Sequence, residues 1–333
     1  MIMPSTFDCM LGFAIVLLAS FFFCFQNVIV RILFNQYTMF GEFIIGGYVL
    51  PTLENSFLLL FMRMLLVVPL MAGLSSKLYS NTWQDIRGLN QSESRIMLWR
   101  SLAGGLLMFL YLALLYLSIG LIETGIAMTL FFTYPVFTAL FSWQFFGSAP
   151  SRFRWLVMGL ILSGIFLTIP HHQSSDQSYS LVGVILGIAS GITYALYTVN
   201  AQKIFEDKMH PVPFTWISFA TTLVLAGISL FIWHNPDSEM NWAPLWVGGL
   251  LSAIVTLTGH LMNNFGISLI GATSASMISA TNPALTVILA WFTIQETLNY
   301  WQLFGVIIVT LSVAMLSLEH RRSPEKINKN RQK

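Results

Sequence analysis

The sequence predicts an all-α polytopic membrane protein, with ten transmembrane helices arranged as two inverted five-helix repeats. Three observations predict it. Ten apolar segments are long enough to cross a bilayer, nearly all the cations fall on one side of them, and the second half of the chain repeats residues of the first.

Composition already demands lipid as the solvent. Only 9% of the 333 residues are charged, against roughly 25% in an ordinary soluble domain. Apolar residues make up 56% and mean hydropathy is +0.72. A soluble fold carrying so little charge would expose large apolar patches. The same numbers exclude disorder, collagen, coiled coil and a nucleic-acid-binding domain. Cys9 and Cys24 form neither a disulfide framework nor a metal-ligand spacing. No Lys or Arg precedes Arg31, and Asp8 stands where a signal peptide would be cationic, so the first apolar run is expected to be a retained span.

A bilayer-crossing helix needs roughly 20 mainly apolar residues. The segments that qualify are 10–34, 56–74, 97–118, 122–145, 153–170, 181–204, 212–233, 244–266, 271–293 and 300–318. Runs this long lack the alternation of barrel strands, so helices are expected. With the N-terminus inside, Lys77, Arg87, Arg95, Arg100, Arg152, Arg154, Lys203 and Lys208 fall on the cytoplasmic side. So do Arg321, Arg322, Lys326, Lys329, Arg331 and Lys333 of the tail. Apart from Arg100, Arg154 and Lys203 at the cytoplasmic ends, only Arg31 and Arg63 lie within spans, and no Lys or Arg is left for an outer loop. This is the positive-inside pattern, which places both termini in the cytoplasm of a cell (plasma or inner) membrane. Residues 36–55 are apolar but too short to span, which fits either an interfacial or re-entrant piece on the outer side or a long loop.

The repeat is read by sliding the chain on itself. At a shift of 148, Ile119, Leu121, Ile122 and Ala127 meet Ile267, Leu269, Ile270 and Ala275. At the same shift Thr133, Pro135, Thr138 and Trp143 meet Thr281, Pro283, Thr286 and Trp291. The first and sixth spans agree at a shift of 170, where Leu11, Ile15, Ala19 and Ser20 meet Leu181, Ile185, Ala189 and Ser190. The difference is about the size of segment 36–55, which reads as an insertion in one half. The chain thus divides into a first five-span repeat at 1–170, a second at 181–318, and a basic tail at 319–333 expected to be disordered. Five spans is odd, so the second unit enters the membrane from the opposite side, the build of many secondary transporters.

Two segments carry a family resemblance: Glu123-Thr-Gly-Ile-Ala with Pro135-Val-Phe, and Gly271-Ala-Thr-Ser-Ala-Ser with Asn282-Pro283-Ala-Leu. Gln295-Glu296-Thr-Leu, followed by Gln302 and Gly305, resembles the family's glutamate-containing close of the ninth span, and Arg63 falls where an arginine is frequent. On these residues the chain resembles the EamA-domain proteins of the drug/metabolite transporter superfamily. It departs where Ser148 stands opposite Glu296, and in the extra segment 36–55. The resemblance implies architecture and an exporter of small metabolites; it does not specify a substrate.

Polar residues within spans are expensive and usually face the bundle interior. Ser20, Cys24, Asn27 and Arg31 form one stripe of the first span, matched by Ser190, Tyr194, Tyr197 and Asn200 in the sixth. The eighth span carries Ser252, Thr256, His260 and Asn264 at i, i+4 spacing. Tyr134 and Asn282 stand at matched positions before the two prolines. The candidate substrate-binding residues are therefore Asn27, Arg31, Arg63, Tyr134, Tyr194, Tyr197, Asn200, His260, Asn264 and Asn282. The bland reading of the same stripes is hydrogen-bonded glue between helices, and Arg63 either attracts an anionic or zwitterionic substrate or fixes packing. Glu123, His260 and Glu296 are the candidates for coupling to protons; no carboxylate lies deep in any span. Pro135 and Pro283 each remove one helical hydrogen bond at matched places, as hinges or as simple kinks.

No HExxH, GxSxG, P-loop or GxGxxG motif occurs, so the chain is expected to be no enzyme and to use no cofactor or metal. The sequence reads as a secondary carrier of a small solute working by alternating access, monomeric or homodimeric in the bilayer. The alternative is a non-transporting membrane enzyme or receptor-like scaffold.

Overall fold

The computed structural model describes residues 6–34, 36–39, 43–50, 52–91, 94–122, 124–147, 149–168, 181–232, 242–294 and 299–331. The helices are α1 (Thr6–Phe34), α2 (Leu53–Leu78), α3 (Thr82–Gly88), α4 (Arg95–Leu121), α5 (Thr124–Phe131), α6 (Tyr134–Phe146), α7 (Arg152–Thr168), α8 (Leu181–Glu206), α9 (Pro211–Ile232), α10 (Trp242–Ser279), α11 (Asn282–Ile294) and α12 (Tyr300–Arg331). Two strands, β1 (Gln36–Met39) and β2 (Phe43–Gly46), complete the described elements. Seven helical stretches among the described residues are long and apolar enough to cross a membrane. The chain is an all-α polytopic membrane protein.

Local chemistry sets the breaks. Pro135 has no N–H for the carbonyl of Phe131, and α5 and α6 are separated by a turn at Phe132 and Thr133. Pro283 does the same to Ser279, and α10 and α11 are separated by a turn at Ala280 and Thr281. Inside α10 the backbone leaves helical geometry at Gly271 (φ 78°, ψ 163°), a conformation that glycine reaches without a Cβ clash.

Three features depart from the sequence reading. Among the described residues of segment 36–55 an antiparallel hairpin, unannounced by the sequence, pairs Tyr37 with Ile45 and Thr38 with Ile44. The hairpin is followed by a hydrogen-bonded return onto α1. Gly47 N–H donates to Ile32 O at 3.0 Å, and Tyr48 and Val49 N–H donate to Leu33 O at 3.0 and 3.2 Å. These bonds satisfy carbonyls that the last turn of a helix otherwise leaves without partners. The connection after α2 holds the short helix α3, which its Thr, Trp and Ile gave no long periodic pattern to announce. Lastly, α12 runs on to Arg331, so helix extends into the tail expected to be disordered.

Packing is dominated by α1 on α10, α4 on α8, α2 on α9 and α7 on α12. One contiguous apolar core, including Met64, Met108, Tyr111, Phe131 and Tyr194, joins the elements. Close approaches depend on glycine. A Cβ at Gly12 would lie 2.5 Å from Ile270 Cγ2, and one at Gly183 would lie 2.7 Å from Ile122 Cγ2.

Candidate functional site

A cavity of about 200 Å³ opens in the helical body, walled by α1, α2, α4, the α5–α6 and α10–α11 breaks, α7 and α8. Both breaks reach its wall: Phe132 and Tyr134 on one side, Asn282 and Pro283 on the other. Where a helix is interrupted, polar backbone is exposed at membrane depth, which is tolerated where it lines a cavity or is buried in protein.

The first helix contributes Phe23, Gln26, Asn27 and Arg31. This face is rotated from the expected stripe, because Ser20 and Cys24 turn their side chains onto their own helix, to Val16 O at 3.0 Å and Phe21 O at 2.9 Å. Asn27 Nδ2 donates to Asn282 Oδ1 and to Thr286 Oγ1, both at 3.1 Å, and so joins α1 to α11 beside the break.

Arg63 on α2 is buried, with 6% of its surface exposed. Its Nη2 donates to Tyr116 Oη at 3.1 Å. With the Gln26 amide oriented to satisfy the network, Arg63 Nη1 donates to Gln26 Oε1 at 2.6 Å and Gln26 Nε2 donates to Thr256 Oγ1 at 2.9 Å. Arg63 Nε has no hydrogen-bond partner among the described residues.

His260 on α10 also lines the cavity. Its Nε2 lies 3.5 Å from Tyr111 Oη, and its ring meets Phe23 edge to face with centroids 4.9 Å apart. Its Nδ1 is unpartnered among the described residues. Tyr111, Tyr194 and Phe131 make an aromatic wall: Tyr111 and Tyr194 are T-shaped at 4.9 Å, and Tyr111 stacks on Phe131 at 5.9 Å. Tyr134 meets Tyr194 at 4.6 Å.

Of the residues singled out in the sequence, Asn27, Arg31 and Arg63 share this cavity with Tyr134, Tyr194, His260 and Asn282. Tyr197, Asn200 and Asn264 lie elsewhere. Tyr197 Oη donates to Asn264 Oδ1 at 3.2 Å and Asn264 Nδ2 donates to Thr215 Oγ1 at 2.8 Å, a buried network clamping α8, α9 and α10. Asn200 Nδ2 donates to Arg100 O at 3.0 Å. Glu123 and Glu296 lie outside the described residues. The sequence reading missed Gln26, Tyr111 and Tyr116. The available signals were the adjacency of Gln26 to Asn27 and a pair of tyrosines in the apolar middle of the third span.

Comparison with known proteins fits this architecture. The model of the EamA-like transporter family matches residues 181–318. The uncharacterized transporter sll1319 of Synechocystis sp. is 56% identical over 93% of this chain and 94% of its own length. The threonine/homoserine exporter RhtA of Salmonella typhimurium is 24% identical over 64% of this chain and 68% of its own. A solved crystal structure superposes with a TM-score of 0.67 at 14% identity, covering 95% of this chain and 98% of that one, a likeness of fold alone. This chain is thus a membrane transporter that belongs to the EamA-like transporter family of the drug/metabolite transporter superfamily.

Proposed function

We propose that the chain is a secondary exporter of a small solute, with ten spans in two inverted five-helix units and alternating access to the cavity between them. The observation that carries the reading is the cavity itself, walled by both units and by both proline breaks. The ten spans follow if α5 with α6 makes one crossing, α10 ends a crossing at Gly271, and Ala272 onward joins α11 in the next.

The packing pattern supports two-fold inversion. If the units are equivalent, α1 on α10 corresponds to α4 on α8, while α2 on α9 and α7 on α12 are each self-corresponding. Gly12 meets Leu269 and Ile270 as Gly183 meets Leu121 and Ile122. Gly183 follows Gly12 by 171 residues and Ile270 follows Ile122 by 148. The same offsets relate Asn27–Thr286 to Thr198–Thr138, the latter with oxygens 3.4 Å apart. This favours a register one residue longer than the shift of 170 read from the first and sixth spans.

With both termini in the cytoplasm of the cell membrane, as the cation distribution indicates, the cavity lies in the outer half. The contacts of Tyr197, Asn264, Arg100 and Asp207 then close the inner side. The inner closure and outer cavity correspond to one end of an alternating-access cycle. Export as the direction is supported by the similarity to RhtA, a threonine/homoserine exporter. Asn27, Arg31, Arg63, Tyr134, Tyr194, His260 and Asn282 are the proposed substrate contacts. Protons are the proposed coupling ion, with Glu123, His260 and Glu296 as the residues to test.

The test is transport in vesicles reconstituted with purified protein and loaded with solutes drawn from an untargeted metabolite comparison of cells with and without it. Folded Asn27→Ala and His260→Ala variants are expected to lose most of the flux. Unchanged flux in both overturns the site assignment. Unaltered pH dependence in Glu123→Gln and Glu296→Gln removes those acids from the coupling scheme.

A further inference from the structure

Two adjacent asparagines on α10 hold separate parts of the molecule. Asn264 belongs to the buried clamp on Tyr197 and Thr215. Asn263, 1% exposed, reaches two residues of the cavity wall instead. Its Oδ1 accepts from Ser279 Oγ at 3.1 Å, and its Nδ2 donates to Tyr194 Oη at 3.5 Å.

Asn263 stands eight residues before Gly271 and Ser279 eight residues after it. A helix rises about 1.5 Å per residue, so each lies about 12 Å from the kink along its own arm. A direct bond between them requires the two arms of α10 to run side by side at this depth. The Asn263 amide thus joins three lengths of helix: both arms of α10 and, through Tyr194, α8. The clamp shares the same backbone. Tyr194 and Tyr197 are three residues apart on α8, with ring centroids 6.0 Å apart, and Asn263 and Asn264 are consecutive on α10. A displacement of Tyr194 or Ser279 in the cavity therefore reaches the clamp through one short, stiff stretch of each helix.

Packing alone does not need this amide. Under the offsets of 148 and 171 that relate the two units, Asn263, Ser279 and Tyr194 correspond to Leu115, Phe131 and Phe23. All three of these are apolar, and they too line the cavity. The clamp differs, because Asn264 and Tyr197 correspond to Tyr116 and Gln26, which are polar. Burying polar groups costs free energy, and at the equivalent junction apolar side chains fill the space without them.

We propose that Asn263 is a positioning residue that couples the cavity to the inner closure, transmitting occupancy at Tyr194 and Ser279 to the Tyr197–Asn264–Thr215 clamp. This rests on the carrier reading and on its inverted repeat. The Tyr194 contact is the longer and weaker of the two, so Tyr194 Oη is the group a solute recruits first. The amide is then held from the Ser279 side alone. One tie that aligns α8 with α10 is lost, and the population shifts toward an inward-open state.

The test is a mutant cycle on the purified full-length protein, read without any solute. Labelling by N-ethylmaleimide is followed at Ala201→Cys, one turn beyond Tyr197, and at Ala226→Cys on α9, in a background lacking Cys9 and Cys24. Both positions are fully buried. Asn263→Leu and Ser279→Ala are each expected to speed labelling at Ala201→Cys about two- to tenfold, the scale of one buried hydrogen bond. Labelling at Ala226→Cys is expected to stay unchanged. Once Asn263→Leu is present, Ser279→Ala is expected to add nothing, because the two act through one bond. Full additivity, unchanged rates in both single variants, or equal acceleration at both reporters overturns the proposal; the last is a general loosening. Should Asn263→Leu fail to fold, Ser279→Ala decides alone at the two reporters. Vesicle flux separates the two levels. If wild type moves solute and the cycle is additive, the coupling falls and the carrier reading stands. If the cycle is non-additive and wild type moves no solute, the carrier reading falls and the link between Asn263 and the clamp stands.

Discussion

Arg100 at the start of α4 forms an ion pair and hydrogen bond with Asp207, one residue past the end of α8, and Lys203 reaches the same carboxylate at 3.4 Å. Asn200 reinforces the junction by donating to Arg100 O. The pair is the charged element of the proposed inner closure. Its side chains are 39% and 32% exposed, so solvent screening keeps its worth near the roughly 0.2–1 kcal/mol of exposed pairs. Asp207→Asn is therefore expected to shift the population toward an inward-open state by up to about fivefold. The measurement is the thiol-labelling rate of Ala201→Cys, a fully buried position, in a background lacking Cys9 and Cys24. An unchanged rate removes the pair from the closure.

His210 lies against Tyr79 with ring centroids 4.0 Å apart and planes 8° from parallel. Its Nδ1 accepts from Val212 N–H at 3.3 Å, so the neutral ring caps the start of α9. Burial lowers the His210 pKa from its ordinary 6.5, opposed by the negative charge of Asp85. The folded state therefore binds this proton less readily than the unfolded chain. Its stabilising contribution is complete above about pH 6.5 and is lost as pH falls below that value toward the depressed folded-state pKa. Lower hydrogen-exchange protection of the Val212, Phe214 and Thr215 amides, after correction for the pH dependence of intrinsic exchange, is expected on acidification across that window. His210→Asn keeps an acceptor without titrating there, and should flatten the dependence.

The fold was more legible than the site for a physical reason. Membrane spans announce themselves by length and charge exclusion, and both are written along one dimension. Pro135 and Pro283 marked their breaks because a missing N–H acts locally. The hairpin at 36–46 was hidden, since its pairing of Tyr37 with Ile45 depends on a return onto α1 that no local period encodes. Site membership depends on which way a helix is rotated against its neighbours. In α1 a small rotation put Gln26 on the cavity and turned Ser20 and Cys24 away from it. For Tyr197 and Asn264 the polar stripes were real, but their partners were each other. Only three-dimensional packing distinguishes such a clamp from a cavity wall.

Gly191 faces the break between α5 and α6. A Cβ there would stand 2.8 Å from Phe131 O and 3.3 Å from Leu130 O, backbone atoms that have little room to retreat. Gly191→Ala is expected to cost about 1–3 kcal/mol, the usual range for overpacking. Gly159 is the matched control, because a Cβ added there meets nothing within 4 Å. Gly159→Ala should be neutral or slightly stabilising, by up to about 1 kcal/mol from helix propensity. Melting of the two purified variants in one detergent checks both. Equal melting temperatures would show that the α5–α8 contact is not tight at this point.

Pro283 separates stability from transport. It denies Ser279 O a helical partner, and the turn at Ala280 and Thr281 exposes the polar edge where Asn282 meets Asn27. Pro283→Ala restores the N–H and removes the ring, the two features that oppose a continuous helix from α10 into α11. If the break serves only packing, the variant melts higher and carries solute as well as wild type. If the break is a hinge or supplies backbone contacts to the solute, the variant melts higher yet transports more slowly. We expect the second outcome, because the α5–α6 break recurs on the same cavity. Pro135→Ala should then behave alike, and the double variant should lose more flux than either. Vesicle flux and melting measured on the same preparations decide between the two.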